Sequence, residues 1–393
     1  MKKRRCAAVI AIILVIVMTV SAAIPQAVWA AGPVSTKVNN GYDEETWNRM
    51  QDDILEYDEI PLLVHEYNRT ISDIWESLED ARDSLADSVE ELESQERKMK
   101  NLKDSAKQSG QQAEAINYMV QEKTLEGISS AMKSSGLQNI NSRSTLAGIQ
   151  RAEDQIVQAA QYLMISYDTL RKQQETLGHL EALYQARYQL ETARYSQGMA
   201  TATDVLAAQN SILSAQNSLQ SIESALVQLK PNLCTLTGWP ADADITIAVI
   251  GEFDQARIGE MNLEADTQKA IGNNTTMMEL RRSEAGKTMD GTTARLAQIE
   301  EGEQKVILEI QRLFDDVTLN IAAYETSLVG YQVAQGDKAG YDRMYQMGML
   351  SQADYLGTEI SYYQKKAAME SADMALRLSV ETYFWGIRGF ATI

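Results

Sequence analysis

Cysteine is nearly missing from this chain: 393 residues carry two, Cys6 and Cys234. Cys6 lies in a leader-like opening stretch, so one thiol is left, which excludes an internal disulfide and a cysteine-based metal cluster. The two histidines, His65 and His179, belong to different segments and have no cysteine or histidine at ligand spacing, so no zinc site is expected. Phenylalanine numbers four and proline five, while Ala, Leu, Gln, Ser and Glu recur throughout. That composition suits long, thin helical packing better than a broad core. Base is also short: 36 Lys and Arg stand against 55 Asp and Glu, a net charge of -19 that repels phosphate backbones and speaks against nucleic-acid binding.

What is present begins with "MKKRRCAAVIAIILVIVMTVSAAIPQAVWA", four basic residues, an apolar run and small residues at Val28 and Ala30. This layout predicts a secretory signal peptide over 1–30, with an uncleaved anchor as the rival reading. Cleavage would move the net charge from -19 to -23. Cys6 precedes the apolar run and so is not a lipoprotein cysteine.

The rest is written in heptads. After "YSQGMATATD" apolar residues fall at Val205, Ala208, Ile212, Ala215, Leu219, Ile222, Leu226, Leu229, Leu233 and Leu236, in alternating steps of three and four. Before it, Ile149, Ile156, Leu163, Leu170, Leu177 and Tyr184 recur every seven residues, with Leu146, Ala160, Tyr167, Leu180 and Leu190 widening the stripe. Further upstream, Ile71, Leu78, Leu85, Leu92 and Met99 form another row, helped by Ile74, Ala81 and Leu102. "KQSGQQ" (107–112) and "SSGLQNINSRS" (134–144) read as breaks. Only "ADITIAVIGEF" (243–253) alternates like a strand, and one short strand makes no sheet.

The turn is written twice. "YSQGMATATDVL" at 195–206 returns as "YQMGMLSQADYL" at 345–356. One shift of 150 residues carries Tyr195, Gly198, Met199, Asp204, Leu206 and Ser211 onto Tyr345, Gly348, Met349, Asp354, Leu356 and Ser361. The flanking rows follow: Leu146, Ile149, Ile156 and Leu163 land on Leu296, Ile299, Val306 and Leu313, and Ala225 and Leu226 on Ala375 and Leu376. Heptads explain shared leucines but not a shared Tyr, Gly, Met and Asp, so the chain contains two copies of one helical hairpin. Gly198 and Gly348 suit left-handed helix ends, and Asp204 and Asp354 suit the next helix start, where a carboxylate caps exposed amides.

These residues resemble the TolC-like outer membrane efflux proteins, in which two repeats per protomer each hold a hairpin turning at Tyr, Gly, a small hydroxyl residue, Asp and Leu. "LCTLTGWPADADITI" is similar to that family's Thr-Gly hairpin ending and linker. "NLEADTQKAIGNNTTMMELRRSEAG" (262–286) resembles the opener of the second repeat, and "DDILEYDEIPLLVHEYN" (52–68) loosely that of the first. The resemblance implies an all-α fold of long antiparallel coiled-coil hairpins in two tandem repeats, a homotrimeric α-helical tube. It also implies two partners, a membrane-fusion adaptor and an ABC or other inner-membrane transporter, with no cofactor and no catalysis. The adaptor-docking and gate turns would be Tyr195, Gly198, Met199, Asp204, Tyr345, Gly348, Met349 and Asp354.

One departure matters. Between its upper and long helices each family repeat carries two β-strands of an outer-membrane barrel; here the second repeat has only "SEAGKTMDGTTA" (283–294), too short for a spanning strand of ~9 to 11 residues. The first repeat carries helical seams over about 75–143 instead. A helix over 146–195 would measure ~75 Å and one over 204–236 ~50 Å, a shortfall that the ~35 Å of 262–285 makes up. The expectation is a tube without its barrel: 1–30 leader, 31–143 N-terminal helical region, 144–239 first hairpin, 240–261 linker and 262–393 second repeat, in the cell envelope of an organism with a single membrane.

"AGKT" at 285–288 lacks the phosphate loop's first glycine, since Arg281 stands there, and reads as the distal turn. Asp242 and Asp244 read as a solvated linker before a cation site. Carboxylates are spread over every helix and no pair is singled out for acid-base work. Tyr355, Tyr362 and Tyr363 read as bulky coiled-coil layers before a ligand-stacking role, and "FWGIRGF" (384–390) as an aromatic close packing on the equatorial region or a neighbouring subunit, with a membrane-surface contact as the rival reading. The other functional reading is an extracytoplasmic structural or adhesive coiled coil that kept the scaffold and lost conduction.

Overall fold

The computed structural model describes residues 42–80, 85–109, 112–134, 143–251, 253–282 and 289–391. The expected leader at 1–30, the expected distal turn at 285–288 and most of the break at 134–144 lie outside them. The chain divides into two compact units, one of Met1–Arg171 with Leu219–Ile250, the other of Lys172–Ser218 with Gly251–Ile393.

In the first unit α1 (Glu44–Arg49) starts on the carboxylate of Asp43, which accepts from the amide of Thr46. Strand β1 (Ile54–Leu55) and a short 3-10 turn lead into α2 (Ile60–Tyr67), where proline occupies the first turn, the place its missing N–H does no harm. Helices α3 (Arg69–Asp80), α4 (Leu85–Gln108) and α5 (Gln112–Ser134) follow, and α4 packs along α5. The seam between them holds Leu92, Ala106, Leu125 and Ile128 buried, with a Lys103–Glu122 ion pair closing it. The region expected to replace barrel strands is therefore a helical pair. Side chains of Leu78, Ala81 and Leu85 fall outside the described set.

The long helices are α6 (Arg143–Ser196), α7 (Ala202–Leu236), α11 (Met289–Gln346) and α12 (Gln352–Trp385). Gln216 on α7 donates to Glu181 on α6 (2.8 Å), and α11 packs along α12, so the four form the two expected hairpins. At 1.5 Å per residue α6 runs ~81 Å and α7 ~52 Å. Every one of the ten seam residues from Val205 to Leu236 is buried or half-buried. The same holds on α6 for Ile149, Ile156, Leu163, Leu170, Leu177 and Tyr184. Leu146 and its repeat mate Leu296 are exceptions: both are exposed, standing ahead of the first fully buried layers at Ile149 and Val306.

Strand β2 (Thr246–Ile247) corrects a second expectation. It pairs in parallel with β1, Ile54 opposite Thr246 and Leu55 opposite Ile247, through bonds from Thr246 N to Asp53 O (2.8 Å) and Ala248 N to Leu55 O (2.9 Å). β1 is too short to alternate visibly, so its sequence gives no strand signal. Arg171 ties the strand to α6: one guanidinium nitrogen donates to Ile247 O (3.0 Å) and another reaches the fully buried Asp168 (2.6 Å). Among the described residues these are the only strands.

The second unit adds α8 (Ala256–Gly259), α9 (Leu263–Asn273), α10 (Thr275–Arg282) and a π-helical close, Gly386–Phe390. Its core gathers Ala270, Met277, Val306, Ile310, Leu313, Val317, Leu376, Val380, Tyr383 and Ile387. The aromatic C-terminal stretch packs on α9 within the chain, with Trp385 buried edge-on to Phe390 and the Arg388 guanidinium over the indole.

Both repeats open with the same device. Asn68 breaks α2 from α3 and Asn274 breaks α9 from α10, with nearly equal ψ of 119°. Each buried side chain caps the following helix, accepting from Ile71 N and Met277 N at 3.1 Å, and donates back to a hairpin's end, Leu236 O for Asn68 (2.7 Å) and Ala391 O for Asn274 (3.1 Å). The resemblance at 52–68 and 262–286 is thus a shared bend.

Candidate functional site

The two hairpin turns are built alike, from the backbone upward. Gly198 and Gly348 have φ of 73° and 71°, the left-handed conformation in which a Cβ is disfavoured. Two bonds close each helix end: Gly198 N to Tyr195 O (2.9 Å) with Met199 N to Arg194 O (2.8 Å), and Gly348 N to Tyr345 O with Met349 N to Met344 O, both 2.9 Å. This is the Schellman arrangement, which satisfies carbonyls that the helix leaves free.

Three residues later the next helix starts on a reciprocal cap. The Asp204 carboxylate accepts from Thr201 N (2.8 Å) and Thr201 Oγ1 (2.7 Å), and the Thr201 oxygen accepts from Asp204 N (3.2 Å). Ser351 Oγ donates to Asp354 (2.6 Å) and accepts from Asp354 N (3.2 Å). The Thr201 amide and hydroxyl hold the Asp204 carboxyl below the usual carboxylate range. Asp204 thus caps a backbone amide as its position predicted, whereas Asp354 meets the Ser351 hydroxyl and the cap of its helix is Ser351 itself. The partners Thr201 and Ser351 were not picked out by sequence reasoning, although a hydroxyl residue three before an acid and ahead of a heptad is a readable signal.

Each turn so holds its own four expected residues together. With polar groups turned inward to the backbone, the ends present Tyr195 and Met199 on one hairpin and Tyr345, Met347 and Met349 on the other, all exposed. Behind the second turn Tyr345 lies flat on Tyr355, ring centroids 4.2 Å apart, and the Tyr355 hydroxyl donates to Asp342 (2.9 Å) and reaches Glu359 (3.3 Å). Burial, the bond to Asp342 and neighbouring carboxylates push the Tyr355 phenol upward. Lys338 completes the cluster against Asp342 (2.9 Å) and holds that carboxyl low. The first turn has Val205 where the second has Tyr355, so the ring stack belongs to one copy alone.

A lateral joint stands beside the turns in the second unit. Descending α6 meets α12 antiparallel: Thr176 Oγ1 bonds Glu370 (3.1 Å), Lys366 lies 3.6 Å from Glu175, His179 stacks on Tyr363 at 4.8 Å, and Gln364 approaches the Tyr184 hydroxyl (3.4 Å). Tyr355, Tyr362 and Tyr363 are all taken up in such packing.

Among the described residues no group of three or more His, Cys, Asp or Glu is placed to hold a metal ion, and no helix is long and apolar enough to cross a membrane. His65 bonds Glu153 (3.0 Å) and Cys234 is buried, its thiol pushed up to about 11 by burial.

No protein-family model and no curated protein matches the chain. Solved structures do. The chain is similar to VceC, an outer membrane protein of Vibrio cholerae, with 15% identity over 69% of this chain and 76% of that one, TM-score 0.44. It is similar to the CmeC outer membrane channel of Campylobacter jejuni, with 10% identity over 94% of each chain, TM-score 0.49. It matches CusC, a protein studied for its folding and transmembrane channel formation, with 12% identity over 85% of this chain and 97% of that one, TM-score 0.52. Such identity speaks for the fold alone: across most of its length this chain is folded like a channel of the TolC type.

Proposed function

We propose that this chain is the duct component of an export or efflux assembly: an exported, cell-envelope protein whose three copies close six hairpins into one helical tube. Its hairpin turns would dock a membrane-fusion adaptor coupled to an ABC or other inner-membrane transporter. It performs no catalysis; it conducts, and the turns form the entrance that opens and closes.

The observation that carries this reading is the turn written twice. Two copies of one backbone close, each with its polar atoms spent on capping and its Tyr and Met side chains turned outward, make equivalent apolar ends that a partner hairpin can cover. Methionine is suited to such a surface because its flexible thioether adapts to the opposing side chains. The acidic composition gives a lumen that favours cations over anions. Helices α4 and α5, in the place where the resembled family has barrel strands, suit a duct with no outer bilayer to enter.

The test is a mass measurement of the chain with and without a membrane-fusion adaptor from the same cells, followed by export from those cells. Stable complex formation that is lost on replacing Met199 and Met349 by Asp supports the reading. A chain that ignores the adaptor, or exports normally with both substitutions, overturns it.

A further inference from the structure

The two turns share one backbone but not one set of side chains. In the second, Met349 N bonds Met344 O (2.9 Å), which sets the third residue from the end of α11 beside the second residue past its cap. In a close of this kind those two positions commonly bring their side chains into contact. Met347 N bonds Arg343 O (3.1 Å), so the helical path runs on to Met347. It lies three residues after Met344 on the same face, with Cβ atoms ~5–6 Å apart. Three methionines therefore gather at one helix end, and all are exposed, Met344 to 38%, Met347 to 61% and Met349 to 68%. The 150-residue shift puts Arg194, Gln197 and Met199 at the same places of the first turn, where an equivalent pair of bonds closes the helix. The close itself thus needs no more than one methionine, and the second turn holds three.

We propose that Met344, Met347 and Met349 form a binding site for a soft monovalent metal cation, Cu(I) or Ag(I), held by their three thioether sulfurs. A thioether is a soft, uncharged donor, which favours such ions over zinc, magnesium or calcium. The net charge of -19 raises the local concentration of every cation, and the softness of the donors decides which one is kept. Each methionine has three rotatable bonds, so its sulfur swings to the ion while the backbone around Gly348 stays in place. Exposure of all three leaves the ion an open path. The first turn offers no second site: where the other has Met344 it has Arg194, a permanent cation with no lone pair to give, paired to Glu191 at 3.2 Å. One site per chain follows. The site needs a single chain and no partner, so it stands apart from the duct reading.

The test titrates Ag(I), as nitrate in chloride-free buffer, into the full chain carrying Cys6→Ser and Cys234→Ala, which removes both thiols. Calorimetry is expected to show one tightly bound ion per chain. Met344→Arg with Met347→Gln writes the first turn's residues into the second, a set that the first turn already closes with, and urea unfolding checks that the fold is kept. Binding should fall ~100-fold or more, since losing a residue that merely supports a metal ligand already costs ~10- to 100-fold. Met199→Leu should leave it unchanged. With methionine methyls labelled for NMR, Ag(I) should shift Met344, Met347 and Met349 ahead of Met119 and Met199, which are exposed to 41% and 59%. Zn(II) should move none of the three. An affinity indifferent to the double substitution, or exposed methionine methyls that all shift together, overturns the site. The double variant keeps Met199 and Met349 for an adaptor, so the two proposals fail separately: a parent chain that binds Ag(I) but ignores its adaptor loses the duct, and one that docks but takes up no Ag(I) loses this site.

Discussion

A Cβ on Gly238 would stand 2.3 Å from the carbonyl oxygen of Tyr67, and Gly238 has φ of 87°. Gly389, with φ of 102°, meets Asn273 O at the same 2.3 Å. Each glycine lets the end of a hairpin press against the bend that opens its own repeat. Gly238→Ala and Gly389→Ala should each cost about 3 kcal/mol or more, from backbone strain and displacement together. Gly198→Ala and Gly348→Ala, left-handed but with open space around the missing Cβ, should cost about 1 kcal/mol. Urea unfolding of the four variants checks the ranking.

Asn68 and Asn274 are the other half of that contact. Each is buried and bonded on both sides of the amide, so Asn68→Ala or Asn274→Ala leaves a carbonyl and an amide without partners inside the fold. The expected loss is about 2 to 4 kcal/mol each. The same unfolding measurement reads it, and the effect should reach the repeat concerned before the other.

At the turns the expected effects are local. Thr201→Ala and Ser351→Ala should each destabilise the following helix start by about 1 kcal/mol. Amide exchange should rise in the first turns of α7 and α12 and little elsewhere. Because the Asp204 carboxyl titrates low in the folded chain, its capping contribution is present above the ordinary aspartate range and is lost as pH falls through its folded value. An NMR titration of Asp204 should place its midpoint below that of a model peptide, and Thr201→Ala should raise it.

Glu59 behaves in the opposite sense. It is buried in the first unit, 3.0 Å from Arg49, and burial raises its carboxyl above the usual range despite that cation, with Glu56 and Asp52 adding to the rise. Its protonated form is favoured by folding, so this group's contribution is greatest below the unfolded value and is lost as pH rises through the folded one. Glu59→Gln should therefore raise the melting temperature at pH 7, and the gain should shrink toward pH 4. A gain that is constant with pH would assign the effect to packing.

Legibility differed sharply between elements. The seam from Val205 to Leu236 was readable because a helix repeats its buried side every three or four residues whatever lies opposite. The turns were readable because a left-handed close and a capped start each demand particular residue types, and those demands recur 150 residues apart. β1 was not readable: two residues cannot display a period, and Ile54 and Leu55 become a strand only by meeting Thr246 and Ile247. Leu146 and Leu296 fit the stripe by spacing but lie bare, because spacing gives a residue's angle on the helix and not the reach of the neighbour.

The sequence by itself determined the helices, their pairing into two hairpins and the form of both turns, since all of these follow from periodicity and local backbone demands. Tertiary structure alone decided which apolar faces are satisfied within one chain. Leu206, Leu213 and Val227 carry as regular a heptad as the buried seam beside them, yet they stand in solvent, while the equivalent face of α12 is covered by α6. A heptad states that a partner is needed; only the packing of one helix on another shows whether the chain supplies it.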